Sequence, residues 1–293
     1  MPVILENIPV AVKDELLGEA LAQSQVAALA PTTRVGVGDT LMTFSLGLEP
    51  AQPVTTSIEE SNLPGEGGVK PVAGGNSFVR ARAYKFAQII PVSAEYRYNL
   101  PRLYDELIAN AAGTIGLGVD NFAFNSVQTL DGFATFNAGD YAEHVTVGTG
   151  DTALYEALTA AFMATAQNGA VPNAVVGSPL FNMQVTTMTA QDGRPVFGTG
   201  ADGIGRVFGA EVRKSELLGT GATSPVAIVG DWNKSRLGVV DDITLKIAEE
   251  ATIEWQGEKI NLFQQNMIGI LVEAQVAFMV KAGAFARIGG ATA

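Results

Sequence analysis

Residues 78 to 95 read Phe78-Val79-Arg80-Ala81-Arg82-Ala83-Tyr84-Lys85-Phe86-Ala87-Gln88-Ile89-Ile90-Pro91-Val92-Ser93-Ala94-Glu95, and the fold expectation is built outward from them. Their first thirteen positions, to Ile90, have the aromatic and β-branched content of a strand. Just upstream, 50 to 76 is rich in Pro, Gly, Ser and Thr, including Pro64-Gly65-Glu66-Gly67-Gly68 and Gly74-Gly75, with a second strand-like stretch at Val54 to Ile58. The two flanks and their loose tip describe a long hairpin over 50–90. An isolated two-stranded hairpin is marginal in water. Arms of about fifteen residues at roughly 3.3 Å each would reach some 50 Å, so such an arm makes most sense lying on a neighbour.

A long helix is expected next. Asn99 is placed as its N-cap and Pro101 in its first turn, with Leu103, Leu107, Ala111, Ile115, Val119, Phe122 and Ala123 on one face. Gly113, Gly116 and Gly118 each weaken it by about 1 kcal/mol relative to Ala. A turn-rich stretch around Asp131-Gly132 and Ala138-Gly139-Asp140 leads to a helix from about Thr152 to Gln167, closed by Asn168-Gly169. Val175 and Val176 read as a buried strand, and Ser178-Pro179 as an N-cap opening a helix to about Met188. Gln191 to Gly205 is an exposed loop, and the alternation over 150–240 suggests a compact α/β unit.

The last third turns to strands at Val226–Val229, Leu237–Val240, Ile243–Ala248 and Val272–Val280, the last alternating with one core face and one half-polar face. Upstream of everything, Leu16, Leu17, Ala20 and Leu21 have helical spacing in an arm over 10–30 that ends at Pro31.

Composition narrows the function. In 293 residues, 47% are hydrophobic, ample for a core. Thirty acidic residues against eighteen basic ones give a net charge of -12, with no basic footprint for gripping phosphates. The absence of cysteine removes disulfides, thiolate metal sites and Cys nucleophiles, which fits a reducing compartment. No signal peptide is read at Met1-Pro2-Val3-Ile4-Leu5-Glu6, and Ile268 to Val280 is too short and too polar at Glu273 and Gln275 for a membrane anchor.

Chemical motifs are few and each has an ordinary explanation. Gly198-Thr199-Gly200-Ala201-Asp202-Gly203 matches G-x-G-x-x-G, but strand-like Gly205-Arg206-Val207-Phe208 follows where a nucleotide site needs a helix. His144 is the single histidine, so it reads as a solvated or core-edge residue. Asp241-Asp242 reads as an exposed turn. Trp232 and Trp255 lie beside strands, where core or interface packing is the usual role. No cofactor and no metal site is expected.

Three stretches, in order, resemble the tailed-phage major capsid proteins of the Hong Kong 97 fold. Residues Phe78 to Glu95 resemble the returning strand of that family's extended loop, followed by a spine helix ending like Gly118-Val119-Asp120-Asn121-Phe122-Ala123-Phe124. Gln191-Asp192-Gly193-Arg194-Pro195, then Gly209 to Ser215, then Ile228-Val229-Gly230-Asp231-Trp232-Asn233-Lys234-Ser235 are similar to the axial-domain succession with its "GD-aromatic-S" turn. Leu262 to Met267, through Glu273 to Ala284-Phe285-Ala286, is similar to the closing strand.

The resemblance implies an α+β fold and a structural protein, not an enzyme. It implies an N-terminal arm at 1–49, an extended loop at 50–90, a peripheral domain at 91–144 with the spine helix, an axial domain at 145–235, and closing peripheral strands at 236–293. It also implies self-assembly into pentamers and hexamers that form an icosahedral head enclosing double-stranded DNA without sequence-specific binding. Assembly in a host cytoplasm into a virion follows, with no membrane and with room for a separate scaffolding, portal or decoration protein. The expected subunit contacts are Pro64, Gly65, Glu66 and Lys70 at the hairpin tip, and Arg80 and Arg82 on its returning strand. Gln191, Asp192 and Arg194 in the axial loop, and Asp231 and Trp232 at the strand turn, complete them. Lys70 is read as a solvated tip lysine and not as a cross-link donor. An encapsulin-type cargo shell and a nucleotide-dependent enzyme using the Gly198 loop stand as alternative readings.

Overall fold

Fourteen consecutive residues, Met267–Val280, carry enough β-branched and apolar side chains to form a strand buried along most of its length, and the larger part of the molecule is arranged around it. The computed structural model describes residues 23–34, 41–45, 78–95, 100–137, 142–148, 153–189, 196–197, 205–221, 223–255 and 257–289.

In chain order these residues begin with α1 (Gln25–Leu29), β1 (Thr32–Arg34), β2 (Leu41–Ser45), β3 (Phe78–Arg82), β4 (Tyr84–Ser93) and α2 (Leu100–Asn125). Then come β5 (Ala142–Val145), α3 (Ala153–Gln167), β6 (Ala174–Gly177), α4 (Pro179–Thr187), β7 (Arg206–Val207) and β8 (Ala210–Lys214). Next are β9 (Pro225–Gly230), a 3-10 turn (Trp232–Lys234) and β10 (Ser235–Ala248). The chain closes with β11 (Thr252–Trp255), β12 (Glu258–Asn261), β13 (Met267–Val280) and β14 (Phe285–Gly289).

One sheet has the order β1-β10-β13-β4, with β13 antiparallel to both of its neighbours. On its half-polar face Glu273 forms ion pairs with two lysines, Lys85 at 3.5 Å and Lys246 at 3.7 Å. The other sheet has the order β5-β14-β9-β6-β8-β7. Its strand β6 is buried at all four positions, as Val175 and Val176 led us to expect. Side chains Val175, Val229, Ala286 and Ile288 pack under α3 and α4, while Val176, Ile228 and Phe285 join the core beneath α2. Ser178 caps α4 by accepting from the Phe181 amide at 3.0 Å, with Pro179 in the first turn, as its sequence indicates.

Several expectations are corrected by strand pairing. Leu237–Val240 and Ile243–Ala248 belong to one strand, β10, because irregularities between Val239 and Asp241 and between Asp241 and Thr244 absorb the acidic pair within the ladder. The hairpin base pairs β3 with Leu41–Ser45, earlier in the chain than 50, and Tyr84–Ser93 lies in the β13 sheet and not in the hairpin. The closing segment splits: β13 stays in the first sheet, while Phe285–Gly289 pairs with β9 and β5 in the second. The helix expected across 10–30 is interrupted at Ser24, whose extended backbone caps α1 afresh; residues 1–22 lie outside the described residues.

What unites the sheets is aromatic. Phe136 lies 4.9 Å from Phe285, 5.7 Å from Trp232, 5.8 Å from Phe278 and 6.2 Å from Phe124, measured between ring centroids. Phe278 belongs to β13 and Phe285 to β14, so one ring bridges both sheets and the end of α2. Phe136→Ala is expected to cost about 3–5 kcal/mol, because a filled position between two sheets has no flexible neighbour to collapse into it. Urea unfolding of the isolated chain checks this, and a loss below about 1 kcal/mol would contradict the bridging role.

Candidate functional site

Besides the passage through α2, the chain crosses between the sheets at two short, tightly bonded turns. From β9 to β10 it runs through Gly230-Asp231-Trp232-Asn233-Lys234-Ser235. Asp231 caps this turn by accepting from the Asn233 amide at 3.2 Å, and Ser235 Oγ donates to the Trp232 carbonyl at 2.6 Å. The return passage from β13 to β14 is tied to it: the Asp231 amide donates to Ala284 O at 3.1 Å, and the Lys281 amide to Lys234 O at 2.9 Å. Gly230 is required by packing, since the Phe285 ring lies 2.1 Å from where a Cβ would stand.

Asp231 and Trp232 are therefore parts of an internal joint. Trp232 is fully buried among Phe136 and Phe285, with no ring surface left for a neighbouring subunit, which corrects its candidacy as a contact. Asp231 is likewise buried, its side chain occupied by the turn it caps.

Two extensions are anchored to this body at their described ends. The hairpin base is pinned where the Arg82 amide donates to Gly132 O at 2.7 Å and Tyr84 Oη donates to Asp131 O at 2.7 Å. Gly132 has φ +72, and a Cβ there would meet Arg82 N at 2.8 Å, so the expected Asp131-Gly132 turn has a specific task. Arg80 and Arg82 are exposed, and the Arg82 guanidinium sits 5.9 Å over the Tyr84 ring. Pro64, Gly65, Glu66, Lys70, Gln191, Asp192 and Arg194 lie outside the described residues, as does the Gly198 to Gly203 motif. The segment after that motif is strand β7 and not a helix.

The second extension is the N-terminal arm, held by a residue that sequence reasoning passed over. Asp120, on the buried side of α2, is 1% exposed. Its Oδ1 accepts from Ser24 Oγ at 2.6 Å and from the Val26 amide at 3.1 Å, and its Oδ2 accepts from the Gln25 amide at 2.6 Å. Gly113, seven residues earlier on the same helix, has Gln23 lying over it, with Gln23 Oε1 only 2.1 Å from a would-be Cβ. The helix-weakening glycine is thus where the arm approaches closely. A signal existed: Asp120 sits beside Val119 and Ala123 on the apolar stripe, where a carboxylate demands partners.

Burial pushes the Asp120 carboxyl up from 3.8 to about 6, although the Ser24 hydroxyl and the Gln25 and Val26 amides pull it down. His144 is half-buried on β5; burial and the neighbouring Arg287 charge lower its pKa, opposed by a backbone bond involving Gly289. Arg287, itself buried, donates to the backbone carbonyl and the side-chain oxygen of Asn137. Among the described residues no three His, Asp or Glu side chains gather as a metal site, and no helix is long and apolar enough to cross a membrane.

A model of the phage capsid family matches residues 8–288. The chain belongs to the phage capsid family. It is a major capsid protein, a structural subunit that assembles with itself into a shell and a component of the virion. Its α+β architecture is the Hong Kong 97-like capsid fold, which solved structures share at low sequence identity. A chain of Mycobacterium phage Adephagia is similar with TM-score 0.63 and 17% identity, covering 92% of this chain and 91% of that one. A chain of Mycobacterium phage Bobi is similar with TM-score 0.62 and 22% identity over 92% and 91%. A chain of the structure titled "Capsid of empty GTA particle computed with C5 symmetry" is similar with TM-score 0.59 and 15% identity over 92% and 90%. No curated protein matches the chain by sequence.

Two outcomes test this capsid protein's joint and arm. Gly230→Ala forces the Phe285 ring out of a packed cluster and is expected to lower subunit stability by about 1–3 kcal/mol. Gly205→Ala, where a Cβ meets nothing within 4 Å, is the control and should leave the urea midpoint unchanged. For the arm, the folded state holds a proton on Asp120 up to about 6 where the unfolded chain releases it near 3.8. The stability from this site is thus complete below 3.8 and lost as pH rises through about 6. Hydrogen exchange should therefore show the Gln25 and Val26 amides more protected, relative to intrinsic rates, at pH 5 than at pH 7.5. Asp120→Asn should remove that difference, and an unsubstituted chain with no pH dependence would contradict the assignment.

Proposed function

We propose that this capsid protein forms rings of five and six copies that close into an icosahedral phage head around double-stranded DNA, assembled in the host cytoplasm. The observation that carries the proposal is the division of the subunit into a jointed, aromatic-centred body and two extensions anchored to it over short stretches: the arm by Asp120, Val26, Ala30 and the pairing of β1 with β10, the hairpin by Ala81 and the Arg82 and Tyr84 bonds. Rings of both sizes need heterologous contacts that close at two rotations, so part of each copy must adapt while the rest stays fixed. The arm around Asp120 and the hairpin above Arg82 supply the adaptable part. The tip residues Pro64, Gly65, Glu66 and Lys70, the exposed Arg80 and Arg82, and the loop residues Gln191, Asp192 and Arg194 are proposed as subunit contacts.

The net charge of -12 supports enclosure of DNA without adhesion, because subunits of that sign repel the phosphate backbone. A separate scaffolding, portal or decoration protein is compatible with this reading. Size-exclusion chromatography with light scattering, followed by negative-stain microscopy, tests it. Closed shells, or five- and six-fold rings, are expected. A monodisperse small oligomer that resists assembly across salt and pH would overturn the proposal.

A further inference from the structure

Between Glu156 and Asp192 the chain contains no Asp, Glu, Lys, Arg or His, although 16% of all residues are charged, about one in every six. This run supplies most of α3, all of β6 and all of α4. An uncharged run is unremarkable where it is interior, but this one reaches the surface. Leu180 is 67% exposed and Met183 65% exposed on α4, with Met163 and Val171 also exposed elsewhere in the run.

Leu180 and Met183 are three residues apart, so they stand on one side of the helix. The opposite side is buried through Phe181, Asn182 and Val185. That orientation is locked. The Phe181 ring lies over Gly177, 2.3 Å from where a Cβ would stand, and Ser178 caps the helix through the Phe181 amide. Asn182 Nδ2 donates to Ser178 O at 2.9 Å. Turning α4 to cover Leu180 and Met183 would expose Phe181 and Val185 and break the Asn182 bond. The two apolar side chains are held outward by the packing behind them.

We infer that the outward face of α4, anchored by Leu180 and Met183, is a contact between neighbouring copies of this chain in the assembled shell. Self-assembly into a shell supplies the occupant, a second copy, and charge favours this face for it. Each copy carries -12, so identical copies meet at least cost where neither brings a like charge, and the run itself brings none, with Lys214 of β8 exposed beside Gly177 in the paired strand. Interface centres are depleted of charged residues and enriched in Met, which fits Met183 on an uncharged helix. The run itself brings no cation for nucleic acid to grip. The inference rests on the shell reading above and names one of its contacts.

The chain has no cysteine, so Met183→Cys introduces a unique thiol. Its maleimide labelling rate is compared between intact shells and the same shells dissociated in denaturant, with Leu180→Cys as a second reporter. At least tenfold slower labelling in intact shells is expected. Equal rates within twofold, in closed shells of normal size, would overturn the inference while leaving the shell reading intact. So would protection that disappears when a second polypeptide is stripped from the shell. Met183→Glu should leave the subunit's thermal melt unchanged and abolish assembly; wild-type yields of shells from it would also overturn the inference. If the unsubstituted chain forms no shells, the shell reading itself falls, and this contact with it.

Discussion

The packing of Phe136 against Phe278, Phe285 and Trp232 is the constraint on which the rest of the subunit depends. Neither sheet closes a core by itself on this side. The first sheet brings Phe278 on β13, the second brings Phe285 on β14, and the ring between them lies in the segment that follows α2. The ring series continues through Phe133, 6.1 Å from Phe278 and 5.3 Å from Phe122, so the spine helix joins the same cluster. The two inter-sheet turns then have little freedom. They are bonded to each other through Asp231, Ala284, Lys281 and Lys234, and Gly230 is bare because Phe285 occupies its side-chain space.

The extensions are held by forces of a different size. A hydrogen bond contributes about 1 kcal/mol net, more when a carboxylate accepts it, whereas deleting a large ring from a packed core costs several kcal/mol. The arm rests on the three bonds Asp120 accepts, on Val26 and Ala30 buried behind them, and on the short pairing of β1 with β10. The base of the hairpin rests on the Arg82 and Tyr84 bonds to the 131–132 turn. On the proposed reading, these attachments are the ones expected to yield when a copy must fit a different neighbour. A shell subunit needs that ordering of strengths: a body that keeps its shape in every position, and extensions that do not have to.

Much of this was legible in the sequence where a local rule decides. The Ser178-Pro179 cap, the buried strand at Val175 and Val176, the Asp131-Gly132 turn and the long strand ending at Val280 all follow from short-range chemistry. What escaped depends on pairing across distant segments. Nothing near Phe285 announces that it leaves the sheet of Val280 for another, since the turn between them is only Lys281 to Ala284. Asp241-Asp242 reads as a turn because bulges leave no periodic trace. Trp232 follows a Gly-Asp pair that suggests an exposed turn, and its burial comes from Phe136, almost a hundred residues upstream. Asp120 was the one detectable omission, an acid on an apolar helical stripe.

The most direct test of the account is a high-resolution electron cryo-microscopy map of assembled shells, with every independent copy of the chain built separately. The account predicts that the two sheets, α2 and the Phe136 cluster superpose in all copies to within about 1 Å, the range in which pre-organised surfaces usually move on binding. Differences should concentrate in the hairpin and in the arm outside β1. Copies in which the two sheets rotate against each other, with Phe136 parted from Phe278 or Phe285, would contradict it.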